Sequence, residues 1–335
     1  MGNYFSSEND KQTKKSYGWK KDQQDANDHW HNFTLSVNHH SIKNVDLSKR
    51  CPQVLDQGTF KSCTANALSS VYQFDMMKEG EQHIFTPSRL FIYYNERKVE
   101  NSTDEDCGAS IKDGIKSINK KGVCPESMWT YDENNVFEEP SLECYKETSR
   151  HKAVEYKRVE QELNQLKACI IEGFPIVFGF KVFSSFESDQ VSKQGIMPMP
   201  DVENEEVLGG HCCYIVGFSE DNKSFLVRNS YGENWGLEGN FWMPYEFALN
   251  SEYCSDFWTI KRVSDSHKNN QKFQYPKKVN RRKNRRNNNN NNNTNNTNNN
   301  TNNNKNNNTN NNKANIYQAL YKTDVNDFAK FDYLD

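Results

Sequence analysis

The sequence predicts one α+β domain with two halves, residues 45–263, between a polar arm, residues 1–44, and a disordered polar tail, residues 264–335. Three observations carry this prediction. Apolar residues recur at helical spacing in the first half of the domain, and short runs of β-branched and aromatic residues follow in the second. Helices that precede strands without strict alternation are typical of the α+β class. Hydrophobic residues make up only 34% of the chain, and the deficit is concentrated in the tail.

Four segments of the domain have the apolar periodicity of helices. The first begins after Ser62-Cys63 and ends at Gly80, since glycine commonly terminates a helix. The third carries Ile111, Ile115 and Ile118 on one face. The predicted helices after the first cover residues 88–96, 110–120 and 160–172.

Beyond Pro175 the hydrophobic pattern changes to that of strands. Five extended segments are predicted, at residues 175–183, 211–218, 224–229, 239–243 and 256–260. The polar residues 220–223 separate two of them and have the composition of a hairpin turn. Residues 211–229 are therefore predicted to form two adjacent antiparallel strands.

The flanking segments lack the apolar residues that a core requires. The arm contains one aromatic motif, Tyr17-Gly18-Trp19, and we expect it to dock on the domain because it cannot fold alone. The tail has a basic cluster at residues 277–286 and an Asn-rich tract at 287–312, which predicts disorder. Contact of this cluster with nucleic acid or an acidic membrane is one hypothesis, and a solvated charge run is the other.

Charge and cysteine usage exclude several classes of protein. The net charge of −3 gives no general attraction to nucleic acid or membranes, and no apolar run is long enough for a transmembrane helix. The nine cysteines lack Cys-x-x-Cys spacing, so we expect no zinc site, and the thiol chemistry described below needs neither a metal nor an organic cofactor. Because the start lacks an apolar signal stretch, we expect a reducing, intracellular compartment such as the cytoplasm, and free thiols in place of disulfides.

One cysteine stands where a loop is predicted to enter a helix. Cys63 follows a Gln-Gly turn and begins the first helix, where unpaired backbone N–H groups stabilise a thiolate. Gln57 lies six positions earlier, and its side-chain amide can point to the same place as the Cys63 N–H. Two such donors form an oxyanion hole for a tetrahedral acyl intermediate. The segment therefore predicts a nucleophile and its oxyanion donors.

A cysteine nucleophile requires a base and a group that orients the base. His211 follows Gly209 and Gly210, which predict an uncrowded space in front of the imidazole. Asn229 ends the next predicted strand and can reach the ring across the hairpin. Cys63, His211 and Asn229 therefore form a candidate catalytic set.

These segments resemble the papain-like cysteine peptidases. Residues 56–67 read Asp-Gln-Gly-x-x-x-Ser-Cys-Thr-Ala-Asn-Ala, residues 122–127 read Gly-Val-Cys-Pro-Glu-Ser, and residues 228–236 read Arg-Asn-Ser-Tyr-Gly-x-x-Trp-Gly. His211 lies 148 positions after Cys63, within the separation of about 130–150 that the family shows. The likeness covers roughly residues 16–262. It implies a helical lobe, a β-barrel lobe and an active-site cleft between them.

The resemblance also assigns roles to positions of this chain. It implies that Cys63 is the nucleophile, His211 the general base and acid, Asn229 the orienting residue and Gln57 an oxyanion donor. By the same likeness, substrate contacts fall on Gly108, Ala109, Gly210 and Tyr231. Tyr231 stands where relatives usually have tryptophan, and we expect its ring to shield the bond between His211 and Asn229.

The sequence therefore predicts a peptidase that hydrolyses peptide bonds of a peptide or protein substrate through a Cys63 thioester. Two alternatives stay open. The same Cys-His-Asn set could transfer the acyl group to an amine, and an inactive relative could bind peptides in the cleft. The sequence leaves substrate preference and oligomeric state open.

The start of the chain carries a candidate lipidation site. Gly2, with Ser6 four positions later, matches the N-myristoylation pattern, which would attach the protein to a membrane without a spanning helix. Asn-rich tracts indicate an AT-rich genome, such as that of a protist or of a large DNA virus infecting one. Packaging into a virion is the corresponding hypothesis if the source is viral.

Overall fold

The structure describes residues 15–23, 25–31 and 42–263 of the chain in a computed structural model. Its long helices, between residues 63 and 120, precede its long strands, between residues 153 and 263, while short strands come before the first helix and shorter helices lie among the later strands. This order confirms the predicted α+β class. The assignments to Gly2, the basic cluster and the Asn-rich tract lie outside the described residues. No helix in the described part of the chain is long and apolar enough to cross a membrane.

The central element of the helical half is α1, Cys63–Glu79. It ends as predicted at Gly80, which has the left-handed φ of 71° and donates its N–H to the carbonyl groups of Met76 and Met77. Most of its residues are buried, polar ones included, so the helix is surrounded by protein on nearly all sides. Its N-terminus, which carries Cys63, is therefore held in a fixed position.

Two capped helices pack against α1. In α2, Arg89–Val99, the Ser88 hydroxyl accepts a hydrogen bond from the Phe91 N–H, and in α3, Ile111–Lys120, Ser110 caps Asp113 in the same way. Such caps satisfy backbone donors that have no partner within the helix. The predicted face of isoleucines on α3 is buried.

The second half of the fold is a mixed sheet. Its main path runs β2-β5-β10-β6-β7-β8-β9, where β2 is Trp30–His31, β5 Ala153–Val159, β6 Ile176–Phe183, β7 Val207–Ser219, β8 Ser224–Arg228, β9 Asn240–Pro244 and β10 Cys254–Val263. All neighbours on this path are antiparallel except β2 and β5. A short strand, β3 (Asn44–Asp46), pairs with the far end of β7. The β7–β8 hairpin was predicted and is confirmed.

Several elements differ from the prediction. Strand β5 was missed because its middle is polar and half-exposed, a pattern that lacks the apolar alternation of a core strand. Strand β7 begins at Val207, four residues before the predicted start, because pairing with β6 continues through both glycines. The helix predicted at 160–172 is shorter, α5 (Leu163–Ile171). The short helices α4 (Leu142–Glu147), α6 (Asp189–Gln194) and α7 (Tyr245–Leu249) were not predicted.

The arm is docked on the domain at two places. Strand β1, Trp19–Lys20, pairs in parallel with β4, Ala109–Ser110, and strand β2 extends the large sheet beside β5. Between them, Arg158 of β5 holds Asp22 at 2.9 Å and Asp28 at 2.8 Å, and all three side chains are buried. Buried charges are tolerated when they are paired, so this cluster fixes the path of the arm.

Candidate active site

Cys63 is fully buried at the N-terminus of α1. The backbone N–H groups of Gly18 and Cys212 point at its sulfur, and both favour the thiolate. Burial nevertheless dominates and raises the pKa of Cys63 to about 12. The sequence argument for a stabilised thiolate is therefore wrong for this arrangement, because it did not include the arm that covers the sulfur.

His211 lies on β7 and is oriented by Asn229, which follows β8. The Nε2 atom of His211 lies 2.8 Å from Oδ1 of Asn229, and that oxygen also accepts the Ser230 N–H at 2.8 Å. Because the Ser230 N–H can only donate, the asparagine oxygen faces the imidazole and Nε2 carries the proton. In the described part of the chain, Nδ1 of His211 has no hydrogen-bond partner and is the free acceptor.

Aromatic rings surround the imidazole. Tyr231 stacks on it with ring centroids 5.0 Å apart, Phe180 meets it edge-on at 5.6 Å, and Trp235 in turn packs edge-on against Tyr231. This burial lowers the pKa of His211 to about 4, the hydrogen bond to Asn229 notwithstanding. At neutral pH the pair is therefore a neutral thiol and a neutral imidazole.

The Gln57 side chain is held at both ends of its amide. Its Oε1 accepts the Ser230 hydroxyl at 2.7 Å, which leaves Nε2 to donate to the carbonyl groups of Ser16 at 3.1 Å and Phe60 at 2.9 Å. The donor predicted to hold an oxyanion is thus directed at a peptide carbonyl of the arm. The sequence analysis assigned no role to Ser230. Its position directly after Asn229 could have indicated that its side chain lies at the site.

Gly18 carries the arm through the narrowest part of the cleft. Its carbonyl oxygen accepts the Ala109 N–H at 2.8 Å. A Cβ at Gly18 would lie 1.8 Å from the Lys61 carbonyl oxygen, and a Cβ at Gly108 would lie 2.0 Å from the Gly18 oxygen. No side chain fits at either position, so this contact of backbone on backbone requires two glycines.

Of the two aromatic neighbours of Gly18, Tyr17 contacts the imidazole and Trp19 lies against the glycine that precedes His211. The Tyr17 ring meets His211 edge-on with centroids 5.9 Å apart, and its hydroxyl is hydrogen-bonded to Glu187. Trp19 lies directly against Gly210. The expectation of an uncrowded space beside Gly209 and Gly210 is therefore wrong, because the arm fills the room that the glycines leave.

All eight residues assigned to the site from sequence border one cleft, and the arm touches most of them. Gln57, Ala109 and Gly108 contact Ser16 or Gly18, Gly210 contacts Trp19, and the Lys15 ammonium lies 4.4 Å from the Tyr231 ring centroid. Within residues 15–23, 25–31 and 42–263, no cluster of three or more His, Cys, Asp or Glu side chains could hold a metal ion. The arrangement suits acyl chemistry on a peptide carbonyl.

Comparison with known proteins gives one consistent family. Residues 41–255 match the papain family of cysteine proteases. An uncharacterized peptidase C1-like protein of Acanthamoeba polyphaga mimivirus is 47% identical over 230 residues, which are 65% of this chain and 74% of that protein.

Solved structures agree with this match. Xylellain, a cysteine protease from Xylella fastidiosa, superposes with a TM-score of 0.68 at 40% identity, covering 73% of this chain and 95% of xylellain. A procathepsin B from Trypanosoma congolense shares the fold at 14% identity, with a TM-score of 0.52 over 64% of this chain and 79% of its own.

Proposed function

The chain belongs to the papain family of cysteine proteases, and we propose that this cysteine peptidase hydrolyses peptide bonds through a Cys63 thioester once residues 15–22 leave its cleft. The observation that carries the proposal is the carbonyl of Ser16 against the Gln57 amide, 3.1 Å away, beside the covered Cys63. The Gln57 amide thus already binds a peptide carbonyl, which supports its use for the carbonyl oxygen of a substrate peptide.

The acylation step uses the three groups described above. Cys63 passes its proton to Nδ1 of His211, and its sulfur bonds to the substrate carbonyl carbon. The oxygen that gains negative charge is held by the Gln57 Nε2–H and by a backbone N–H at the start of α1, where the helix dipole is favourable. The carbon–nitrogen bond then breaks, and His211 returns the proton to the leaving amine.

Deacylation repeats these steps with water. His211 removes a proton from water, the hydroxide attacks the thioester carbon, the carbon–sulfur bond breaks, and the proton returns to the sulfur. Asn229 keeps Nε2 protonated throughout, so that Nδ1 always faces the reacting atoms. The stacked Tyr231 ring excludes water from this hydrogen bond.

Residues 15–22 keep the peptidase latent in two ways. They fill the cleft, and they bury Cys63 so that its thiol stays protonated at neutral pH. Departure of the arm hydrates the site, which removes the main cause of both pKa shifts and lets a proton pass from the thiol to His211. Departure of the arm therefore opens the cleft and allows the Cys63 thiol to ionise in the same step.

A thiol-reactive peptidyl epoxide tests the proposal on the full chain. We expect slow labelling of the wild type, fast labelling of Trp19→Ala, and none of a Trp19→Ala, Cys63→Ala double variant, each read by intact mass. Trp30→Ala is the matched control, because Trp30 belongs to the same arm but is 56% exposed and away from the cleft.

The outcomes separate the alternatives. Labelling of Trp19→Ala together with cleavage of a fluorogenic peptide supports the peptidase. Failure of the folded Trp19→Ala variant to react would identify a peptide-binding relative. Labelling with transfer of the acyl group to an added amine, and without hydrolysis, would identify an acyltransferase.

A further inference from the structure

The short segment that carries Gln57 is held along both of its edges. On one edge, the Gln57 N–H donates to the Ser230 carbonyl at 2.9 Å. On the same edge, the Gly232 N–H donates to the Leu55 carbonyl at 3.0 Å. Successive carbonyl groups of extended backbone point in opposite directions, so the Asp56 carbonyl lies on the other edge.

Arg89, the first residue of α2, binds that other edge. Its Nη1 donates to the Asp56 carbonyl at 2.9 Å and to Oδ1 of Asn66 at 3.2 Å. Glu126 holds the same guanidinium at two points, with Nε 2.8 Å from Oε2 and Nη2 2.7 Å from Oε1. A two-point ion pair fixes the plane of the guanidinium. The motif at residues 122–127, which contains Glu126, is thus connected to the segment that carries Gln57.

The Tyr131 hydroxyl joins the two ends of the loop that precedes Cys63. It donates to the Gln57 carbonyl at 2.9 Å and lies 2.7 Å from the Ser62 hydroxyl. Because the single phenolic proton is used on the carbonyl, the Ser62 hydroxyl donates to the phenolic oxygen. One oxygen atom therefore contacts both the residue proposed as oxyanion donor and the residue next to the proposed nucleophile.

Asn66 completes the network. Its Nδ2 donates to the Ser62 hydroxyl at 3.1 Å and to the Ser62 carbonyl at 2.9 Å, and both residues are buried. The Arg89 guanidinium carbon lies 3.6 Å from the centroid of the Tyr131 ring, so the cation stacks on the ring. Buried polar networks whose groups are paired are rigid. The orientation of the Tyr131 ring and the position of its hydroxyl are therefore fixed together.

We propose that Tyr131 is a positioning residue for peptide hydrolysis, whose hydroxyl fixes the Gln57 amide at the separation from Cys63 that the tetrahedral intermediate requires. Arg89 and Glu126 hold the ring and the neighbouring backbone in place. The proposal rests on the peptidase activity inferred above. Tyr131 acts through the loop between Gln57 and Cys63, and not on the reacting atoms.

Tyr131→Phe tests this role, because it removes the hydroxyl and keeps the ring that stacks on Arg89. All variants are full chains that also carry Trp19→Ala, which opens the cleft. We expect kcat on a fluorogenic peptide to fall about tenfold with KM within about twofold, a smaller loss than removal of an oxyanion donor causes. Tyr245→Phe is the matched control. Its hydroxyl bonds to Glu220 at 3.0 Å beside the β7–β8 turn, so kcat should not change.

Three further measurements separate positioning from a general weakening of the fold. In a Gln57→Ala background, Tyr131→Phe should change kcat by less than about twofold, since the donor that it positions is absent. A peptide aldehyde forms an adduct with Cys63 whose oxygen occupies the oxyanion position, so its inhibition constant should rise about tenfold in Tyr131→Phe. Alkylation of Cys63 by iodoacetamide forms no oxyanion, and its rate should stay within about twofold.

Glu126→Gln provides a second variant that leaves Tyr131 and the loop unchanged. It keeps the shape of the side chain but removes the charge that holds Arg89. We expect kcat to fall about threefold, and again only when Gln57 is present. Circular dichroism and the melting temperature establish that both variants are folded.

The result distinguishes this inference from the proposed function. If Trp19→Ala cleaves no peptide and does not react with the epoxide, the peptidase proposal fails, and the positioning role fails with it. If Trp19→Ala cleaves peptides but Tyr131→Phe behaves like Tyr245→Phe, the peptidase stands and the positioning role is overturned. An equal loss of kcat with and without Gln57 would overturn it as well.

Discussion

The Ser230 hydroxyl lies 2.7 Å from Oε1 of Gln57, so the residue next to Asn229 also sets the direction of the side-chain amide that we propose as the oxyanion donor. The backbone strengthens this link, because the Gln57 N–H donates to the Ser230 carbonyl at 2.9 Å. Residues 173 positions apart thus position the base and the donor through one short segment.

We expect Ser230→Ala to reduce kcat by about tenfold while KM changes little, because the Gln57 amide stays present but loses its fixed orientation. Gln57→Ala should cost more, about 10²–10³ in kcat, as expected for loss of an oxyanion donor. Both are measured in the Trp19→Ala background. Ser224→Ala is the control, since that hydroxyl bonds only within the hairpin turn. Equal losses in Ser230→Ala and Gln57→Ala would contradict the positioning role.

Gly18→Ala should activate the full chain. The added methyl group would overlap the Lys61 carbonyl, which is backbone and cannot rotate away, so the arm must leave the cleft. We expect peptidase activity to rise at least tenfold over the wild type in a continuous fluorogenic assay. Gln23→Ala, an exposed position on the same arm, should remain latent. A latent Gly18→Ala variant would show that the arm does not limit activity.

Asp22→Ala should also activate the peptidase. This change weakens the attachment of the arm to Arg158 and leaves the arm residues that cover Cys63 unchanged. Asp22 accepts hydrogen bonds from Arg158 at 2.9 Å and from the Trp258 indole at 2.8 Å, and its carboxylate is buried. Loss of about 1.4 kcal/mol of docking energy raises the open fraction tenfold while that fraction is small. Asp25→Ala is the matched control, since the Asp25 ion pair with Lys116 is partly exposed and of small effect. Equal activation by both would argue against a specific anchor.

The pH dependence of thiol alkylation reports whether the arm is docked. Burial raises the pKa of Cys63 to about 12, so in the wild type the thiolate fraction increases about tenfold for each pH unit up to that value. The rate of alkylation by a small reagent should therefore rise without a plateau from pH 6 to 9. In Gly18→Ala the hydrated thiol should react faster at pH 7, and its profile should level off at a lower pH. A plateau below pH 8 in the wild type would be inconsistent with a buried thiol.

Local patterns were sufficient for much of the fold. The stop at Gly80, the buried isoleucine face of α3 and the β7–β8 hairpin each depend on residues close together in sequence, and all three are confirmed. Strand β5 was missed because its pairing with β10 determines its conformation, and its own polar middle does not indicate a strand.

Less of the candidate site than of the fold could be predicted from the sequence. Cys63, His211 and Asn229 were selected by residue type and spacing, and their catalytic roles stay predictions. The ionisation of Cys63 was misjudged because it depends on Gly18 and its neighbours, more than 40 positions away, which a local argument about a helix N-terminus cannot include. The motif Tyr17-Gly18-Trp19 was visible, but its partners Gly179 and Gly210 become adjacent only when β6 pairs with β7.

The docking of β2 affects more than access to the cleft. Trp30 and His31 pair with Arg158 and Val159 and make β2 the outermost strand of the large sheet. Full removal of the arm would make β5 the border strand, with backbone hydrogen-bonding groups open to another chain. The enzyme without its arm would then be more prone to self-association than the form with the arm docked. The docked arm would therefore also protect the protein against aggregation.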